Sequence, residues 1–316
     1  MVSGKQKEKE KKNNKFTIGV VILVLIIFTL VVMGINSRKP DFIEPAKQET
    51  KVKGAAFIRT NQILIEQFAG NWLPNDIFWP TVLLDNMPNF QIGELEVVRY
   101  NVRVLRDSLS RMRTTDKLDA RAEGAFTALS NDPYKWWFPS AEKRWKKAYN
   151  DLEMFYQGLA AGKSHFYPRA DNLVVLLKEY ISLMGGVNTR LINAPKRKEK
   201  VIVVKDDKET GAKEVELDLP WNEIDDNFYY AQGVAYALYE SFKAIRVDFK
   251  AVLKDKNSTL LVDKILEGLR KCYFEPLFVF NGSTGSIFAN HSLNLSGMFN
   301  DARQKIDSLT FALKDG

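Results

Sequence analysis

The chain has 316 residues, of which 45% are hydrophobic, 12% aromatic and 27% charged, and this apolar share excludes an intrinsically disordered protein. The lone cysteine, Cys272, excludes an internal disulfide and a cysteine-ligated zinc module. Two histidines, His165 and His291, leave little for histidine-rich metal chemistry. The net charge of +7 favours a nucleic-acid partner only if the charge lies on the folded part of the chain.

Most of the net positive charge lies in residues 1–40. This segment holds eight Lys and Arg residues and two Glu residues, which leaves 38 basic and 37 acidic residues in the rest of the chain. Nucleic-acid binding depends on an excess of basic groups that neutralise phosphates. Because the remainder is close to neutral, we expect no nucleic-acid partner.

An uninterrupted apolar run, residues 16–35, follows a lysine-rich tail, residues 1–15. At about 1.5 Å of rise per residue the run forms a helix of about 30 Å, which matches the hydrocarbon core of a bilayer. A cleaved signal peptide would have a shorter apolar region followed by small residues, so we interpret the run as an uncleaved transmembrane signal anchor. Because a long domain follows, we expect a cytoplasmic tail, an exported C-terminal part, and the lipid bilayer as a partner of residues 16–35.

The exported part divides into a linker, residues 36–53, and a helical periplasmic domain, residues 54–316. The linker is polar and contains Pro40 and Pro45, which indicates a short stalk that lifts the domain off the bilayer. The domain opens with a predicted helix over 55–69.

A segment rich in tryptophan, proline and asparagine, residues 71–90, follows this helix. Its prolines break regular hydrogen-bonding patterns, so the segment is predicted to be a packed irregular loop. We interpret the loop as a partner-binding surface, and its predicted residues are Trp72, Phe78, Trp79, Asp85, Asn86, Met87 and Phe90. The alternative is that the aromatic side chains of this loop belong to the core.

Apolar residues recur at helical spacing through most of the remaining chain. One stripe runs from Ile92 to Met112, and the arginines beside it form either a solvated face or a contact with lipid headgroups or an acidic partner. Another helix is predicted after the N-cap residue Ser140. Further helices are predicted over 173–184, which Gly185 and Gly186 kink or end, over 228–253, from Asn257 or Ser258 to Leu269, and over a closing segment that includes 298–313.

Residues 196–219 interrupt the helical pattern. The apolar run at 201–204 and the alternating residues at 215–219 lie on either side of a glycine-containing turn. This arrangement predicts one short β-hairpin.

The sequence contains no glycine loop for phosphate, no Walker lysine, and no G-x-S-x-G or H-E-x-x-H motif. We therefore predict no catalytic, cofactor-binding or metal-ligating residue, and we interpret Cys272 as a buried apolar side chain. The alternative is an enzyme that acts on cell wall or lipid, and its candidate acid–base groups are Asp225, Asp226, His165 and Asp171.

Three segments together resemble an uncharacterised family of proteobacterial membrane-anchored proteins. They are residues 82–100, residues 136–140 with the following helix, and residues 165–177, and the nearest matches are Leu84-Asp85-Asn86-Met87-Pro88-Asn89 and Arg169-Ala170-Asp171-Asn172-Leu173. The resemblance marks Arg169, Asp171 and Asn172 as a motif and implies one membrane helix, a helical domain and a bacterial inner-membrane location. It implies no activity, and the hairpin segment 196–219 lies outside the resemblance as a candidate insertion.

The sequence thus predicts a mainly α protein, with an N-terminal transmembrane helix followed by a helical-bundle-like domain with one short β-hairpin. The favoured function is a membrane-anchored scaffold or accessory subunit of a bacterial envelope or secretion complex, with other envelope proteins as partners and no cofactor. A fifteen-residue tail cannot hold an output domain, which disfavours a ligand sensor.

Overall fold

A computed structural model describes residues 2–43, 52–113, 115–193, 198–203, 213–218, 225–276, 279 and 290–315. The described chain is mainly helical. Its α-helices are α1 Val2–Asn36, α2 Ala55–Ala69, α3 Asn86–Val104, α4 Ala120–Leu129, α5 Ala141–Ala160, α6 Ala170–Asn193, α7 Asp226–Asp248, α8 Lys250–Asp255, α9 Thr259–Lys271 and α10 His291–Asp315. A short 3₁₀ turn covers Thr81–Leu83, and a π-helical turn, Leu105–Leu109, extends α3.

Helix α1 contains an apolar segment, Lys15–Asn36, with a mean hydropathy of 3.2 and no buried residues in its most apolar window. The segment is long and apolar enough to cross a membrane. The predicted N-terminal apolar helix is therefore confirmed, and in the structure its helical form extends back to Val2.

Helices α3 and α7 form the centre of the helical domain. Their backbones cross at Gly93 and Gly233, where an added Cβ on Gly233 would lie 1.9 Å from the carbonyl oxygen of Phe90. Further along, the Asn101 amide donates to the Ser241 hydroxyl at 2.9 Å, so the two helices run in the same direction. Apolar residues of α2 to α10 pack around this pair, and the largest fully buried side chains include Trp145, Tyr180 and Tyr236.

The helical domain has one end next to α1 and an opposite end. At the α1 end, Asn71 after α2 donates to Asn36 at the end of α1, with 2.6 Å between Nδ2 and Oδ1. Helices α3 and α7 begin near this end. At the far end, the Tyr167 backbone N–H before α6 donates to the Leu109 carbonyl at 2.7 Å.

Several predicted helices agree with the structure, because local signals fix them. Helix α2 has the predicted bounds, and α5 begins after Ser140, whose hydroxyl accepts from the Lys143 N–H. Of the two predicted effects of Gly185 and Gly186, an end of the helix is wrong, because α6 continues to Asn193.

Other helical predictions need correction. The predicted helix over 228–253 is divided at Phe249, which separates α7 from α8. Ser258 does not cap α9 with its side chain, because its hydroxyl donates to the Lys256 carbonyl instead. The apolar stripe of α3 ends at Leu109, since Met112 is exposed. The sequence interpretation also missed α4, whose N-terminus is capped by Asp119.

In the segment for which a hairpin was predicted, two strands pair in antiparallel register. They are β1 Lys198–Val203 and β2 Lys213–Asp218, and Val201 lies opposite Val215. The connection between them, residues 204–212, lies outside the described residues.

Candidate functional site

The segment directly after α1, residues 38–43, is held against the domain, and we call it the strap. The Tyr273 hydroxyl donates to the Pro40 carbonyl at 2.6 Å, and the Tyr236 hydroxyl donates to the Asp41 carbonyl at 2.9 Å. These bonds give hydrogen-bond donors to two carbonyl groups of the strap. They hold the strap against the domain, next to Tyr236 of α7.

Side chains of the strap are packed as well. The Phe42 ring lies 4.7 Å from the Tyr239 ring and 5.0 Å from the Tyr273 ring, centroid to centroid. Lys39 donates to Gln232 with 2.6 Å between Nζ and Oε1, and burial lowers the pKa of Lys39. The strap therefore differs from the predicted free stalk, because its apolar and polar groups find partners on the domain. Residues 44–51 of the predicted linker lie outside the described residues.

The start of α2 is fixed to the other end of α7. The Asp248 carboxylate accepts from the Gly54 N–H at 3.0 Å and from the Phe57 N–H at 2.7 Å. Burial raises the pKa of Asp248 to about 6, although these N–H donors favour the charged form. Gly54 has a φ of 84°, and a Cβ there would meet the Phe166 ring, so this turn requires glycine.

A buried glutamate faces a cavity at the α1 end. The cavity measures about 220 Å³, and its lining includes Glu94, Gln91, Gln67, Asn36 and Arg38. Glu94 is fully buried, its Oε1 has no hydrogen-bond partner among the described residues, and burial raises its pKa well above the usual range. Sequence analysis missed Glu94, because a carboxylate within an amphipathic helix ordinarily lies on the solvated face.

Three predicted partner-binding residues are buried, which corrects that prediction. Trp72, Met87 and Phe90 belong to the core. Trp72 packs on Trp145 with 5.5 Å between ring centroids, and its Nε1–H donates to the Pro133 carbonyl at 2.8 Å. The alternative interpretation, in which the aromatic residues of this segment are core, holds for Trp72, which packs on α5, and for Phe90, whose ring lies 5.8 Å from the Tyr236 ring of α7.

Phe78 and Trp79, in contrast, are exposed, with 72% and 53% of their surfaces accessible. A second group of exposed aromatic residues, Trp136 to Phe138, follows Lys135, whose carbonyl accepts from the Asn75 amide at 3.2 Å. Sequence analysis used this group only for the family resemblance. Trp79 contacts the ring of Phe28 in α1, with 6.4 Å between centroids.

Asp85 and Asn86 lie at the N-terminus of α3, where the Asp85 carboxylate accepts from the Asn86 N–H at 2.8 Å. One carboxylate oxygen each of Asp85, Asp225 and Asp226 lies within 4.8 Å of the others. Oxygen ligands of this kind suit Mg²⁺ or Ca²⁺. Burial and the negative charge of Asp85 raise the pKa of Asp225.

The remaining residues named for chemistry lie elsewhere. Asp171 forms a two-pronged ion pair with Arg169, and Arg169 also donates to the Met112 carbonyl at 3.1 Å. Asn172 donates to the Tyr167 carbonyl at 2.9 Å. The three motif residues therefore fix the start of α6 at the far end of the domain.

The candidate acid–base groups consequently do not form one site. His165 contacts the Tyr167 ring at the far end, whereas Asp225 and Asp226 lie beside Asp85 at the start of α3. Residues 86–109 separate these two ends, and a helix of that many residues is about 36 Å long. Burial raises the pKa of Cys272 to about 12, which agrees with an apolar role rather than a nucleophilic one.

An open groove lies between α2 and α5. It measures about 630 Å³. Its floor is apolar and its rims are charged, and its lining comprises Ile65, Glu66, Ala69, Gly70, Glu142, Lys143, Lys146, Tyr149 and Asn150. Sequence analysis missed this groove, because it arises from the packing of two distant helices.

The paired arginines of α3 favour the solvated interpretation of that face. Arg99 bonds Glu96 with 2.6 Å between Nη1 and Oε1, and Arg103 bonds Glu179. Their charges are thus balanced within the chain.

The described residues thus define a helical protein with an N-terminal apolar helix, and the segment after that helix is held against the helical domain. The chain belongs to the family DUF2333, described as an uncharacterized protein conserved in bacteria, whose family model matches residues 9–316. This match confirms the resemblance, drawn from residues 82–100, 136–140 with the following helix, and 165–177, to the extent that the family is an uncharacterised bacterial one. No curated protein and no solved structure matches the chain.

Proposed function

We propose that this protein is a single-pass protein of the bacterial inner membrane, with residues 16–35 in the bilayer, residues 1–15 in the cytoplasm and the helical domain in the periplasm. It acts by protein binding, as a scaffold or accessory subunit of an envelope or secretion complex.

The docked strap is the observation that carries this proposal. A free linker would let the domain rotate relative to α1, whereas the Tyr273–Pro40 and Tyr236–Asp41 bonds hold it in one orientation. A fixed orientation suits a subunit that presents one surface to membrane neighbours. It offers no advantage to an enzyme that acts on a diffusing substrate.

The groove between α2 and α5 is the surface that best fits a protein partner. Lys143 and Lys146 lie on the same groove as Glu66 and Glu142, so it offers both signs of charge around an apolar floor. Interfaces of transient protein complexes have this pattern of apolar centre and polar rim. A segment of another envelope protein with both acidic and basic residues would match it.

The experiment is affinity purification of the full chain from gently solubilised bacterial membranes. We expect a partner in stoichiometric amount, and we expect its loss in the double variant Lys143→Glu with Lys146→Glu. Lys264→Glu with Lys271→Glu is the matched control, because these exposed lysines lie on α9 and do not line the groove, and within the described residues their ion-pair partner is Glu267. Recovery of the wild-type chain alone contradicts the scaffold proposal.

The alternative function is a periplasmic enzyme acting on cell wall or lipid. The grouping of Asp85, Asp225 and Asp226 is the observation that favours it, since neighbouring carboxylates can divide acid and base roles. This alternative requires hydrolysis of isolated cell wall or phospholipid by the purified chain, with loss of turnover in Asp225→Asn. Absence of turnover in the wild-type chain removes it.

A further inference from the structure

Two neighbouring loops at the α1 end expose a group of large apolar side chains. Loop A is residues 77–83 and loop B is residues 134–138. Phe78 and Phe138 are the most exposed, at 72% and 80%. The exposed apolar residues are Ile77, Phe78, Trp79, Val82, Leu83, Tyr134, Trp136, Trp137 and Phe138. A group of exposed large apolar side chains ordinarily marks a binding surface.

Hydrogen bonds join the two loops into one surface. The Asn75 amide before loop A donates to the Lys135 carbonyl of loop B at 3.2 Å, and Lys135 also accepts from the Ala141 N–H at 2.7 Å. The Trp72–Pro133 bond links the same segments from the core side. The loops are therefore held in shape, and their apolar side chains stay outward because the core behind them is already filled.

Each loop is also ordered within itself. Asp76, directly before loop A, accepts from the Phe78 N–H at 3.0 Å and from the Thr81 hydroxyl within the loop. In loop B, the Trp136 and Trp137 rings lie 5.0 Å apart, edge to face. A preformed surface loses little conformational freedom when it meets a partner.

The position of Trp79 beside α1 identifies the partner. Its ring lies 6.4 Å from the ring of Phe28, which is seven residues before Ile35, the last residue of the apolar run. At helical rise, Phe28 lies about 10 Å inside the end of that run. Where residues 16–35 cross a bilayer, loop A therefore lies at the depth of the acyl chains and not in water.

The chemistry of the loops fits lipid. Loop A carries no charged residue, and the single charge of loop B, Lys135, is exposed. Tryptophan is enriched where proteins cross the boundary between acyl chains and headgroups, and lysine beside such rings reaches the lipid phosphates. Apolar faces that bind in this boundary are buried by about 5–10 Å, which agrees with the depth of Phe28.

We propose that loops A and B insert into the exported-side leaflet beside α1 and give the domain a second contact with the lipid bilayer. This inference rests on the proposed function in one respect, the crossing of the membrane by residues 16–35. With both contacts in place, the domain lies directly against the bilayer.

The test is tryptophan quenching of the full chain in nanodiscs that contain phosphatidylcholine brominated on its acyl chains. Three of the six tryptophans lie in the loops, namely Trp79, Trp136 and Trp137. We expect brominated lipid to reduce the wild-type emission, and we expect this reduction to be lost in the triple tryptophan-to-phenylalanine variant. Unchanged wild-type emission in brominated lipid overturns the inference.

A variant with added negative charges provides a second measurement in which the three loop tryptophans are kept. Phe78→Asp with Phe138→Asp should lift the loops out of the acyl region and abolish quenching, while circular dichroism stays unchanged because both side chains are exposed. Leu260→Asp with Phe311→Asp is the matched control, since these exposed apolar residues, 70% and 56% accessible, lie on α9 and α10. Quenching in the control should equal that of the wild type.

Membrane insertion of α1 is scored separately, by retention of each variant in alkali-washed membranes. A retained chain whose loop tryptophans are not quenched overturns the inference and leaves the proposed function standing, and it points to a protein as the occupant of the loops. A chain that is not retained overturns both.

Discussion

Glu94 is a carboxyl group that the domain buries without a hydrogen-bond partner for Oε1 among the described residues. Removal from water disfavours the charged form, so the folded-state pKa of Glu94 lies well above its unfolded-state value. A group with a raised folded-state pKa contributes stability at low pH, and this contribution is lost as the pH rises from the unfolded-state pKa toward the folded-state pKa. Glu94 should therefore weaken the domain at neutral and basic pH.

The first prediction concerns Glu94→Gln, which keeps the shape of the side chain and removes the ionisation. Below about pH 4.5 the variant and the wild type should unfold at similar temperatures, because the carboxyl is neutral in both the folded and unfolded states. Above that pH the variant should become the more stable, with the difference growing by up to about 1.4 kcal/mol per pH unit. Thermal unfolding in detergent between pH 4 and pH 8 measures this difference in stability between the variant and the wild type.

Glu66→Gln is the matched control for this series, because Glu66 is exposed on α2. Its difference from the wild type should stay small across the same pH range. A Glu94→Gln variant that is less stable than the wild type at pH 8 would show that the carboxylate is charged in the fold and has a positive partner.

At the scale of the elements, the crossing of α3 and α7 fixes the relative positions of the residues at the α1 end of both helices. The two helices approach so closely that a Cβ on Gly93 would lie 2.2 Å from the Tyr230 carbonyl oxygen and 2.9 Å from the Val234 nitrogen. Backbone atoms cannot move aside as a flexible side chain does. The same crossing brings Asp85 next to Asp225 and supports the strap along α7.

The second prediction is that Gly93→Ala destabilises the domain by about 3 kcal/mol or more, because overpacking against backbone forces the helices apart. Gly186→Ala is the matched control, since a Cβ at this exposed position of α6 meets nothing within 4 Å. Alanine there should be neutral or stabilising by up to about 1 kcal/mol. Thermal unfolding compares the two, and equal effects of both substitutions would contradict the described crossing.

Elements fixed by local signals could be predicted from the sequence. Helix α5 follows from the Ser140 cap and the apolar spacing after it, and α2 from its apolar face. Helix α4 could have been found from its Asp119 cap, but its ten residues give only a short apolar stripe.

Features made by distant residues could not be predicted. The strap depends on Phe42 meeting Tyr236, Tyr239 and Tyr273, nearly two hundred residues or more away. For the same reason the sequence could not separate Trp72, which is core, from Trp79, which is exposed. Both are tryptophans in the same proline-rich segment. The packing of Trp72 against Trp145 of α5 is what distinguishes them.

At the scale of the whole molecule, the functional proposals depend on how the domain is joined to α1. Asn36, at the end of α1, bonds Asn71 of the domain, and Phe28 meets Trp79 of loop A. The domain is thus joined to α1 at two points. If residues 16–35 cross the inner membrane, the groove between α2 and α5, the loops and the strap all take one fixed orientation on its periplasmic side.

That crossing is the central claim, and a pair of reporter fusions after Gly316 tests it most directly. One fusion carries alkaline phosphatase, which is active only after export, and the other carries a fluorescent protein that matures only in the cytoplasm. Export of the domain predicts phosphatase activity and no fluorescence, with both signals reversed when residues 16–35 are deleted. A fluorescent, phosphatase-inactive full-length pair would contradict it.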